Sequence, residues 1–97
     1  MELSKDIKTE LEAIEHYVEM AAAYKVKNTK LAEMYIELAK GELDDVMTLH
    51  KHAVALIEES RKTVTPPEYM LEMWNAEHMQ MLERVALAKY KIEIMKS

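Results

Sequence analysis

The only prolines in the chain stand side by side, Pro66 and Pro67, and its only glycine is Gly41. Proline and glycine are the strongest local breakers of regular structure, so a 97-residue chain this poor in them has few places to turn. Long helices are the expected consequence. The clearest stop is "KTVTPPE" (62–68), because proline lacks a backbone donor and cannot continue a helix that precedes it. The spacing predicts Thr65 as an N-cap, with Pro66 at the first helical position and Glu68 closing a capping box; Val64 and Tyr69 can staple across it. A second, softer break is the polar run "KVKNTK" (25–30), where Asn28 or Thr29 can cap the second helix.

Two breaks give three helices, about 4–24 with Ser4 as its cap, about 29–60 and about 66–96. Short connections place neighbours antiparallel. The expected fold is therefore all-α: a three-helix antiparallel up-down bundle spanning 1–97 as a single domain.

Apolar residues recurring at helical spacing mark the inward faces. The first helix offers Leu3, Ile7, Leu11, Ile14, Val18 and Ala21. The second offers Leu31, Tyr35, Leu38, Val46, Leu49, Ala53 and Leu56, and the third Leu71, Trp74, Met81, Val85, Ala88, Ile92 and Met95. Two helices carry a further apolar line: Ile36, Leu43, Met47 and Val54 on the second, and Tyr69, Ala76, Leu87 and Ile94 on the third. A three-helix monomer needs one stripe per helix, so the spare lines predict a homodimer or higher oligomer.

Polar residues interrupt these faces at Glu10, Glu42, Asp45 and His78. An ionised carboxylate facing an apolar interior is costly unless it is paired or coordinated. Glu42 and Asp45 are three residues apart, so both can reach one ion from adjacent turns of one helix face. Carboxylates with an imidazole suit iron, manganese or zinc. The plainer reading is that Glu10 and Glu42 sit near the bundle rim, snorkelling to solvent or bonded to the hydroxyls of Tyr17 or Tyr35. A lone histidine such as His78 is more often a satisfied core histidine than a ligand, and His50 and His52 are expected on the surface.

Composition removes other classes. A net charge of −5 with no Lys/Arg cluster argues against binding nucleic-acid phosphates. The absence of cysteine excludes thiolate metal sites and a cysteine nucleophile. No Ser/His/Asp or Gly-rich phosphate signature is present, which leaves a hydrolase nothing to build on. The first sixteen residues are charged within every turn, unlike a signal peptide or a membrane span, so a cytoplasmic protein is expected.

"ELEAIEHYVEMA" (10–21) followed by "YIELAKGELDDVMTLHKHA" (35–53) resembles the first helix pair of ferritin-like proteins, with rubrerythrins and encapsulated ferritins nearest in character. Glu10, Ala13 and Tyr17 match the ligand helix of that family, and Leu38, Ala39 and Glu42 match its "LA-x-x-E-x-x-H" helix. The resemblance spans about residues 7–57. It implies that Glu10 and Glu42 are ligands to iron or manganese, Glu42 bridging two ions, with ferroxidase-type activity at a site shared between subunits. Asp45 stands where the family has His, which makes the donor set richer in oxygen, and the third helix lacks a second Glu-x-x-His. A different class also fits: a small acidic interaction protein, of the kind of a phage accessory protein or inhibitor, that occupies the groove of a protein partner. Its small size, acidity and nine methionines favour that alternative.

Overall fold

A computed structural model describes residues 2–96. It contains three helices, α1 (Glu2–Tyr24), α2 (Thr29–Arg61) and α3 (Glu68–Lys96), and no strand among the described residues. At about 1.5 Å rise per residue, the 33 residues of α2 account for most of the 55 Å length of the molecule, which is only 19 × 17 Å across.

The breaks fall where they are expected, with differences in detail. Asn28, rather than Thr29, caps α2: its side chain accepts a hydrogen bond from the Leu31 N–H at 3.1 Å. Ser4 does not start α1, which already runs through Glu2 and Leu3. Thr65 does not cap α3 either. The carbonyl of Pro67 accepts from the N–H groups of Met70 and Leu71, so the helix opens at Glu68 and the capping box is not made. Steric conflict with the ring of Pro67 keeps the preceding Pro66 out of the helical region, which delays the start.

Helix α1 lies at the centre of the packing. It packs along α2 over most of its length and against α3 over less, whereas the backbones of α2 and α3 approach each other least. Side-chain pairings fix the directions. Tyr17 and Tyr24 both meet Tyr35, while Glu10 meets Glu42, so α1 and α2 run antiparallel. Arg84 of α3 donates two hydrogen bonds to Glu15 of α1, from Nε to Oε2 at 3.0 Å and from the guanidinium end to Oε1. That bond holds the Glu15 carboxyl below the usual carboxylate range and raises the already high affinity of Arg84 for its proton.

The core is formed by Leu11, Ile14, Val18 and Ala21 of α1, Ile36, Ala39, Leu43 and Val46 of α2, and Met81, Val85, Ala88 and Ile92 of α3. The α1 and α3 faces are those that periodicity predicts. On α2 the inward face is turned towards Ala32, Ile36, Ala39 and Leu43. Leu38 and Leu56, expected inside, are 42% and 53% exposed, and Ile36 and Leu43, expected on the spare line, are core. The alanines explain the turn: helix axes come closest where contact residues are small, and Ala32 and Ala39 let the bulky α1 stripe approach. The spare line of α3 stays outside, with Tyr69, Ala76, Leu87 and Ile94 all exposed.

Candidate metal centre

Glu10 immediately precedes the buried Leu11 and lies one turn before the buried Ile14, which puts it on the flank of the α1 stripe. Glu42 holds the matching position on α2, next to Leu43 and one turn before Val46. Both are half-buried, and the antiparallel register brings them face to face. Asp45, one turn beyond Glu42, is exposed at the mouth of the same seam. One carboxylate oxygen from each of the three lies within 4.8 Å of the other two.

No described residue neutralises this cluster. Oε2 of Glu10 and Oε2 of Glu42 are buried and have no hydrogen-bond partner. The ion pairs among the described residues are Lys40–Glu37, Lys62–Glu59, Arg84–Glu15 and Lys96–Glu93, none of which includes a member of the triad. The tyrosine hydroxyls do not cap the acids: Tyr17, Tyr24 and Tyr35 associate through their rings, at centroid distances of 6.1 Å and 6.3 Å. A buried acceptor without a partner costs about 1–3 kcal/mol. Two carboxylates at the separation of Glu10 and Glu42 repel by roughly 1–3 kcal/mol more, between the limits of bulk water and a protein surface. The expected bonds to the tyrosine hydroxyls are not made, while both glutamates, half-buried, do stand at the rim of the seam. An all-oxygen cluster suits manganese, magnesium, calcium or ferrous iron better than the softer metals.

His78 stands outside the triad. Its ring lies beside that of His50 of α2, tilted by 32° with centroids 4.6 Å apart, and Trp74 stacks on it at 5.2 Å. His78 Nδ1 is buried without a partner. His50 is not a surface residue but half-buried; burial, and then the neighbouring His78, lower its affinity for a proton below the ordinary histidine value of 6.5. Periodicity contained the signal, since His50 lies four residues after Val46 and three before Ala53, both buried. His52 is exposed, as expected.

No family model, curated protein or solved structure matches the chain. No helix among the described residues is long and apolar enough to cross a membrane.

Proposed function

We propose that the chain is one half of a ferritin-like, metal-binding helical assembly, in which Glu10, Glu42 and Asp45 hold iron or manganese and a second copy completes the site. The observation that carries this reading is the convergence of three carboxylates, two with buried and unpartnered oxygens, at the positions where the ferritin-like resemblance expects ligands. Glu10 and Glu42 would be the inner ligands from facing helices, and the exposed Asp45 would close the mouth. A bound redox-active ion would supply one-electron chemistry. The protein's part is to hold three oxygens in place and to keep the inner face of the site apolar with Leu11, Leu43 and Val46.

The case for a second copy comes from the face of α2 that carries Asp45. Met34, Leu38, Gly41 and Asp45 follow one another at helical spacing, and Met34 and Leu38 are 45% and 42% exposed. Gly41 sits mid-helix, and a Cβ placed on it would meet nothing within 4 Å. Glycine in a helix interior costs roughly 0.5–1 kcal/mol relative to alanine, and no intramolecular contact here requires it. An approaching helix would. Native mass spectrometry with Mn(II) should report a dimer carrying metal, and a metal-free 11 kDa species under the same conditions would refute the reading.

A second reading has its own observation. At the α2–α3 turn, Leu56, Val64, Pro66, Pro67, Met70 and Met73 line an apolar groove of about 490 Å³. If the triad binds no metal, this groove supports the acidic interaction protein instead.

A further inference from the structure

We propose that His50 and His78 form a second metal site, made of imidazole and separate from the carboxylate triad, that takes a borderline transition metal such as Cu(II), Ni(II) or Zn(II). The two rings come from different helices, α2 and α3, whose backbones make few close approaches. Buried polar atoms in folded proteins are nearly always hydrogen-bonded. Here the Nδ1 atom of His78 is buried with no partner, and no hydrogen bond joins the two imidazoles. Stacking on Trp74 explains the ring orientation but leaves that nitrogen without a bond.

A centroid separation of 4.6 Å is compatible with one ion bonded to a nitrogen of each ring at about 2.0–2.1 Å. The cavity beside the pair, about 450 Å³, leaves room for water to fill the remaining coordination positions. Its charge selects the ion. Lys5 and Lys8 line the cavity against a single carboxylate, Glu77, while Arg84, which also lines it, is paired with Glu15. A hard cation held by charge is therefore disfavoured, whereas a metal that bonds neutral nitrogen is not. His50 and His78 offer such nitrogens from neighbouring rings. This site does not depend on the triad binding metal.

The chain carries its own reporter, since Trp74 is its only tryptophan and lies against His78. Cu(II) is paramagnetic and quenches indole emission at short range. Titrated into the intact protein at pH 7.5, it should quench Trp74 saturably at one ion per chain, and Zn(II) should compete. Removing an outer partner of a metal ligand typically weakens binding about 10–100-fold, so loss of a ligand itself in His50→Ala or His78→Ala should weaken it by at least about tenfold. Glu42→Ala should quench like the parent, which separates this site from the triad. His50→Gln, with far-UV circular dichroism alongside, replaces His50→Ala if the alanine variant loses helicity. Quenching that does not saturate in the parent, or that keeps its affinity in a folded His50 variant, overturns the proposal.

Discussion

Between α1 and α2 the bundle is close-packed, and its polar residues stand at one point, where Glu10, Glu42 and Asp45 meet. Between α2 and α3 it is open. There His50 and His78 span a gap, Trp74 is half-buried, and Met70, Met73 and Met79 remain exposed. Ala32 and Ala39 account for the close seam. The two seams also treat unpaired polar atoms differently. In the close seam they are acids gathered without a counter-charge, at a cost that packing elsewhere along α1 and α2 offsets. In the open seam the buried atom without a partner is a single imidazole nitrogen, Nδ1 of His78. Stability should therefore reside in the α1–α2 hairpin, with binding chemistry placed at its weakest point.

The largest test of that division is a core truncation. Ile14 is fully buried, so Ile14→Ala should lose about 2–5 kcal/mol in chemical denaturation. Met73→Ala, on an exposed position of α3, should stay within about 0.5 kcal/mol. Equal losses at the two positions would mean that α3 is as tightly integrated as the hairpin.

Glu42→Met comes next. In chelator-treated buffer the substitution should raise stability by about 1–3 kcal/mol, because an orphaned acceptor is replaced by an apolar chain of similar size. A loss would mean that Glu42 has a partner in solution.

Gly41→Ala should stabilise the isolated helix by roughly 0.5–1 kcal/mol. Gly41→Arg should leave the fold intact but abolish self-association in sedimentation, since the added bulk falls on the proposed contact face. A Gly41→Arg protein that still associates would move the interface to α3.

The smallest effect is the pH response of the open seam. Because the fold lowers the proton affinity of His50, the unfolded chain binds more protons below its ordinary value of 6.5. Stability is then fully present above that pH and falls as the pH drops below it, levelling off beneath the lowered folded value. Burial is the larger cause and His78 the smaller; Lys5, Lys8, Arg84 and Glu77 line the same cavity. His50→Gln should flatten the slope of melting temperature between pH 7 and 5. The Arg84–Glu15 pair acts lower, losing its contribution as the pH falls through the depressed Glu15 value.

Much of this division was legible in the residues. The two breaks follow from Asn28 and the proline pair, and the α1 and α3 faces from simple periodicity. Glu10 and Glu42 stood out because each interrupts or flanks an apolar stripe. The α2 face was less legible: Leu38 and Ile36 are both apolar, and only the contact geometry around Ala32 and Ala39 decides which is inside. His50 could have been found from its spacing to Val46 and Ala53, but histidine is common on surfaces and its partner lies on another helix. That His78 joins His50 rather than the acids depends on the register of α3, which no local pattern encodes.

If Glu10, Glu42 and Asp45 are held together to bind a cation, the most direct test is anaerobic calorimetric titration. Fe(II), and separately Mn(II), would be titrated into the parent and into Glu42→Ala, with helicity followed by circular dichroism. Saturable binding in the parent that disappears in a fully helical Glu42→Ala is the predicted result. A parent that binds neither ion saturably, or a variant that binds as well as the parent, would contradict it.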